Sequence, residues 1–248
     1  MSLLTIIQDV VSELSNVGTP PTFISGNTDS TVVQMVSLLN KEGQHLAANY
    51  PWQVMTKSVE RAAVASTSGS AATDQGAIET ICPGYLYILD DTIWLANQPF
   101  KLLGPLSPQQ RTSLEAYKVQ GAAWYYWIEG GHLWTSRPTY TSQTLKLRYQ
   151  SRYWVLDADG VTYKEKFEND NDTTLLPERV LTLGLIWRWL SRNGLPYEQE
   201  ALDYTHALEQ YTSREGTRTI LSATEQADDA RSNRAIIAGV MNVTGSGS

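Results

Sequence analysis

The sequence predicts an α+β protein in which helices from both chain ends form one discontinuous bundle. An antiparallel β-rich lobe is inserted between them, and an extended C-terminal tail follows. Three observations predict this. Strong helical periodicity is concentrated in residues 3–14, 30–50 and 177–190. Between the second and third of these the apolar period shortens toward two, and most of the 8 Trp and 13 Tyr fall there. Beyond Gly216 the apolar periodicity fades. The expected division is a helical bundle from 1–50 and 175–214, a β-rich aromatic insertion over 51–174, and a C-terminal arm over 215–248.

Leu3, Ile6, Ile7, Val10, Val11 and Leu14 recur at three- and four-residue spacing, an amphipathic helix. Pro20-Pro21 close that segment because proline has no N–H to donate. Asp29 or Ser30 offers an N-cap oxygen to a second helix. Its apolar stripe is Val32, Met35, Val36, Leu39 and Leu46, with Glu42, His45 and Asn49 on a polar face. Loose alternation over 54–64 predicts a strand. The small-residue tract 66–73 has too little apolar surface to pack and reads as a mobile loop. Residues 77–81 are expected to resume the sheet, 85–89 to form a short helix or strand, and 93–95 another strand.

Ser107-Pro108 opens a helix to about Val119, with a capping hydroxyl and a proline in the first turn. Residues 124–128 and 132–135 flank Gly130-Gly131, which supply the positive φ of a two-residue hairpin turn. Leu145, Leu147, Tyr149, Tyr153 and Val155 alternate with Lys146, Arg148, Gln150 and Arg152, giving a strand with one dry and one wet face. An acidic loop spans 167–174. Pro177 then opens a helix that is apolar nearly all round, through Val180, Leu181, Leu183, Leu185, Ile186, Trp187, Trp189 and Leu190. Gly194-Leu195-Pro196 breaks it. A fourth helix turns Ala201, Thr205, Leu208 and Tyr211 inward, and residues 245–248 are expected to be disordered.

A chain of 248 residues accommodates one large domain or two unequal lobes. It can bury roughly 70–75% of its unfolded surface, so no metal or disulfide staple is required. The net charge of −7 disfavours tight binding to phosphate backbones. A lone cysteine, Cys82, excludes an intrachain disulfide and fits a reducing compartment. The first residues lack a basic segment, so no signal peptide is expected. The longest apolar run, around 183–187, is cut by Arg188 and falls far short of the roughly 20 residues of a membrane span. A soluble protein with no membrane partner is expected.

Chemical motifs are sparse. His45, His132 and His206 each lack a second His or Cys at three- or four-residue spacing, so no metal site is expected. Neither a phosphate loop, a zinc-protease motif nor a nucleophile elbow occurs. Asp157-Ala158-Asp159-Gly160 covers half a calcium loop but lacks the remaining ligand positions, and reads as a turn. Asn169-Asp170-Asn171-Asp172 reads as a solvated loop. No catalytic residue and no cofactor are expected. The aromatics Trp124, Tyr125, Tyr126, Trp127, Trp134, Tyr149, Tyr153 and Trp154 fall on both faces of their strands. Three readings stay open for them. One is a two-sided core. The second is a tail or subunit interface, with Trp124, Tyr126, Trp134 and Tyr153 as its candidates. The third is a sugar-stacking platform with Glu129 or paired acids, Asp159 among them, acting on a glycan.

The helix over 30–50 running into Pro51-Trp52 and a strand, the segment Leu103-Gly104-Pro105-Leu106-Ser107-Pro108, the aromatic hairpin, residues 149–154 and Leu181-Thr182-Leu183-Gly184-Leu185-Ile186-Trp187-Arg188-Trp189 together carry a resemblance. In this order they resemble the head-to-tail adaptors of short-tailed bacteriophages, also called tail tubular protein A or gatekeeper-ring proteins. The resemblance spans nearly all of 1–225 and rests on overall pattern, without an invariant motif. It implies a non-enzymatic virion protein, made in the host cytoplasm, that forms a ring, typically a dodecamer. Such a ring sits between the phage portal protein and the tail nozzle protein and lines the DNA exit channel, touching DNA non-specifically. Residues after about 215 would then grip the portal, with Ile220, Leu221, Ile236, Ile237, Val240 and Met241 as anchors. The alternative is a carbohydrate-binding or glycan-degrading tail protein that uses the aromatic hairpin; a standalone binding module is a third.

Overall fold

The computed structural model describes residues 1–14, 17–65, 72–96, 100–117, 123–137, 139 and 143–215. The chain is α+β. Its elements are α1 (Leu3–Glu13), α2 (Ser30–Asn49), a 3-10 turn (Gln53–Met55), β1 (Thr56–Ala62), β2 (Thr73–Ala77), α3 (Ile78–Ile81), β3 (Tyr85–Ile88), β4 (Trp94–Ala96), β5 (Phe100–Leu103), α4 (Pro108–Tyr117), β6 (Trp124–Glu129), β7 (His132–Thr135), β8 (Thr144–Ser151), β9 (Val155–Leu156), β10 (Tyr163–Lys164), β11 (Thr173–Thr174), α5 (Glu178–Arg192) and α6 (Glu198–Glu215). Seven strands pair in the order β1-β8-β4-β5-β6-β7-β2, and β3 joins them on β8. A second, three-stranded sheet runs β10-β9-β11. β5 and β6 run parallel, which needs a crossover, and α4 lies in that connection. The chain divides into two compact units, the first of 1–59, 82–89 and 148–215, the second of 60–81 and 90–147. Among the described residues no helix is long and apolar enough to cross a membrane.

The first unit holds one apolar cluster drawn from α1, α2, α5 and α6 together with Trp52, Met55, Trp154, Val155, Phe167 and Leu176. α1 begins where Ser2 accepts from the Thr5 amide and buries Leu3, Ile6, Ile7, Val10 and Val11, the stripe its spacing predicts. α2 is capped by Asp29, which accepts from the Thr31 amide at 2.8 Å. Its expected polar face needs one correction. His45 and Asn49 are exposed, but Glu42 is fully buried. Trp52 closes the C-terminal end of this helix by donating from its indole N–H to the Leu46 carbonyl at 3.0 Å. Trp154 packs against α2 at Gly43, where an added Cβ would come within 2.2 Å of the indole. The same indole meets Phe167 edge-on at 5.0 Å.

α5 buries Val180, Leu181, Gly184, Leu185, Ile186 and Trp189, while Leu183, Trp187 and Leu190 are only half-buried. On α6 the inward positions are Tyr204, Ala207 and Leu208. Thr205, expected inward, is exposed, and its hydroxyl donates to the Ala201 carbonyl at 2.8 Å. β8 alternates as expected through Tyr149 and then stops doing so. Gln150, expected on the wet face, is fully buried because its amide donates to the Trp52 carbonyl at 3.0 Å. The strand ends at Ser151, and Trp154 then turns into the core.

The acidic loop is built into this unit and is not simply solvated. The Asp172 and Asp170 carbonyls accept from the Leu3 and Leu4 amides at 2.9 and 3.2 Å, two N–H groups that the first turn of α1 leaves without an intrahelical partner. The Asp170 carboxylate accepts from the Ile24 and Ser25 amides. The Asp172 carboxylate, fully buried, accepts from the Glu168 and Asn169 amides at 2.8 and 2.9 Å and from Lys164 Nζ at 3.3 Å. Burial opposes its ionisation, but the two amides and the ammonium outweigh burial and hold the carboxyl below its ordinary value. A depressed carboxyl adds stability above its unfolded pKa, about 3.9, and that contribution disappears as pH falls through the lower folded value. Asp172→Asn is therefore expected to lower stability at pH 7. The gap between variant and parent should shrink steadily below about pH 4 as the parent's carboxyl takes up its proton. Urea unfolding from pH 7 to pH 3 checks this, and a gap that does not change with pH refutes it.

In the second unit the hairpin β6–β7 forms as its glycines predict, with Gly130 and Gly131 at φ 58° and 76° and Glu129 opposite His132. Residues 78–81, expected to extend the sheet, instead form the single helical turn α3, which buries Ile78 and Ile81 on one side. β2 carries an irregularity between Asp74 and Gly76. The intervening Gln75 is fully buried. Its side-chain oxygen accepts from the Val64 amide at 3.0 Å, and its nitrogen donates to Thr139 Oγ1 at 2.9 Å. One glutamine amide thus ties β2 to the segment that follows β1, doing with a side chain what ladder hydrogen bonds do elsewhere.

Candidate interaction surface

The aromatic hairpin is largely interior. Trp124, Tyr126 and Trp127 are buried within the second unit, and Trp134 is half-buried. Trp127 and Trp134 stack with rings 6.4 Å apart and 5° from parallel. Arg111 of α4 lies over Trp127 at 5.1 Å and pairs with Glu129, fastening the helix to the hairpin. Arg137 covers Trp124 at 5.7 Å. His132 Nδ1 and Asp74 Oδ2 meet at 2.8 Å, a cross-strand contact between β7 and β2. Tyr153, the fourth interface candidate, is half-buried in the first unit, its ring against Gly84, where a Cβ would come within 2.6 Å. Of the four candidates, Trp134 and Tyr153 offer partial surface, while Trp124 and Tyr126 do not.

The residues considered for glycan hydrolysis have other duties. Glu129 is held by Arg111. Asp159 accepts from the Val161 and Thr162 amides at 2.8 Å each and from the Thr162 hydroxyl at 2.6 Å. The Thr162 hydroxyl and amide and the Val161 amide together lower its pKa to about 2. A general acid needs the opposite shift. In the same turn Asp157 pairs with Lys164 at 3.0 Å, so an ammonium stands where a calcium loop would want a cation. Among the described residues no group of three or more His, Cys, Asp or Glu is placed to hold a metal ion. Ile220, Leu221, Ile236, Ile237, Val240 and Met241, the expected portal anchors, lie outside the described residues.

One aromatic that sequence reading passed over stands out. Trp94 of β4 is 45% exposed, whereas its chain neighbours Ile93 and Leu95 are fully buried. The two-residue period of Ile93-Trp94-Leu95 already carries that signal, since a buried pair at i and i+2 forces the residue between them outward. Trp94 lies directly opposite Lys101 of β5 and Lys146 of β8. Lys101 pairs with Asp91 at 2.5 Å, and Lys146 with Glu60 of β1 at 2.9 Å. Asp91 adopts φ 62°, and among the described residues it is the non-glycine residue with positive φ. That turn brings its carboxylate to Lys101. The surface is an indole flanked on both sides by a lysine–carboxylate pair.

No protein-family model matches the chain, and no curated protein matches it.

Proposed function

We propose that the chain is a structural virion protein, one subunit of an adaptor ring that joins a phage portal to the tail nozzle and lines the DNA exit channel. The single observation that carries this reading is the placement of core residues along the sequence. Side chains of α1 and α2, from the beginning of the chain, share one apolar cluster with those of α5 and α6, more than a hundred residues later. The strands β1 to β8 fall between them in sequence. This is the order of elements expected of a head-to-tail adaptor. In that reading residues 1–50 and 175–214 act as a discontinuous helical bundle, and residues 215–248 act as the arm that engages the portal. Trp134 and Tyr153 belong to contacts with neighbouring subunits or the nozzle. Supporting evidence from charge is indirect: a chain of net charge −7 can line a bore that DNA passes without adhering.

Mixing the full chain with the portal of its own phage and imaging the product tests the reading, with a closed ring, a dodecamer, as the expected result. A chain ending at residue 215 should keep the melting transition of the parent, since the described core ends before that point. It should fail to attach to the portal. Attachment with unchanged affinity would place the grip elsewhere, and monomers that never assemble on a portal would end the adaptor reading.

A further inference from the structure

We infer that the outer face of β4, centred on Trp94, is a stacking site for a neutral saccharide. The inference is independent of the adaptor reading and moves any sugar contact away from the hairpin, whose indoles are mostly occupied by the protein itself. Residues directly opposite one another on paired strands project to the same face. Lys101, Trp94 and Lys146 therefore form a row across three strands; Glu60 of β1 pairs with Lys146 at one end, and Asp91, from the turn that leads into β4, pairs with Lys101. Along the row the groups are ammonium, indole, ammonium, and each ammonium carries its own carboxylate.

That pattern selects the ligand. A nucleic acid would find each ammonium already neutralised by a carboxylate 2.5 or 2.9 Å away, and those carboxylates repel phosphate. A second copy of the same face would have to desolvate four ion pairs to bring the two indoles together, and desolvation of paired charges outweighs what their burial returns. A pyranose meets neither obstacle. Its C–H face covers the apolar indole. Its hydroxyls both donate and accept, so they match carboxylate acceptors and ammonium donors lying on either side of one ring. All five residues sit on strands or on the tight turn at Asp91, so the arrangement is already formed without ligand.

Saturation-transfer NMR on the full chain, with maltohexaose, cellohexaose and chitotetraose as separate probes, tests the site. The expected result is transfer to the ring protons of at least one probe. Affinity should weaken about tenfold in Trp94→Ala and be largely kept in Trp94→Phe, which retains a stacking face. Because the side chain is half in solvent, both variants should melt like the parent. Absence of transfer to all three probes overturns the proposal, as does sugar binding that Trp94→Ala leaves unchanged. Binding of a thymidine dodecanucleotide, or self-association in sedimentation, that is lost in Trp94→Ala while no sugar binds would reassign the face to DNA or to a second copy.

Discussion

Replacing Glu42 by alanine is expected to destabilise the protein by about 3–5 kcal/mol, the usual loss when one member of a buried ion pair is removed. Glu42 is fully buried on α2, and its carboxylate accepts from Arg188 Nε of α5 and from the Tyr204 hydroxyl of α6. One side chain therefore joins three helices. Room for it comes from Gly184, where a Cβ would lie 2.9–3.1 Å from the Glu42 side chain. Burial, and then the hydrogen bond and charge of Glu42, push the Tyr204 hydroxyl's pKa upward, so the phenol stays a donor across the working pH range. Alanine at 42 leaves a half-buried guanidinium without its counter-charge and a buried hydroxyl without its acceptor. Both groups then bear a desolvation cost that nothing offsets. Replacing Glu42 and Arg188 together by methionine should recover much of the loss, since two apolar groups need no partner. Denaturant unfolding of the two single variants and the double variant checks this. A loss below about 1 kcal/mol for Glu42→Ala, the range of an exposed pair, would show that water reaches the site.

The same residue shows where sequence reading reaches its limit. Periodicity located α1, α2, α5 and α6 because their buried stripes are made of side chains whose preference for the interior needs no partner. Glu42 read as solvent-facing because carboxylates are rarely buried without one, and its partners lie 146 and 162 residues away. Gln150 and Asp172 were misjudged for the same reason. Each is a polar side chain whose interior position depends on a group that a local window does not contain. β5 escaped notice because it is a strand of only four residues, and its parallel pairing with β6 leaves no hairpin signal in sequence, although its other neighbour is the antiparallel β4. The hairpin β6–β7 was legible down to its turn, because Gly-Gly states a backbone requirement directly. Whether its aromatics were core or surface was not, since alternation divides them between two faces without saying which face is covered. Trp94 is the opposite case. Its exposure is readable from two flanking apolar residues, although it belongs to no cluster of aromatics.

The contact between Gly43 and Trp154 yields the second large effect and a reversal of sign. Trp154→Ala should cost about 3–5 kcal/mol, because the indole is fully buried and packs edge-on against Phe167 as well as against α2. On helix propensity alone, Gly43→Ala should stabilise α2 by roughly 1 kcal/mol. Packing opposes this. The new methyl would lie 2.2 Å from ring atoms of Trp154, and the ring has no exposed side toward which to move. Overpacking of this kind costs about 1–3 kcal/mol, so the net change in the parent is expected to be destabilising. In the Trp154→Ala background the obstruction is gone, the propensity gain remains, and the methyl partly fills the space the indole vacated. There Gly43→Ala should stabilise. The two effects of one substitution, opposite in sign according to the residue at 154, form a double-mutant cycle with a large coupling energy. Thermal or urea unfolding of the four proteins measures it. If Gly43→Ala stabilises both backgrounds equally, the indole does not rest on α2, and the close approach that allows Trp154 into this core has another explanation.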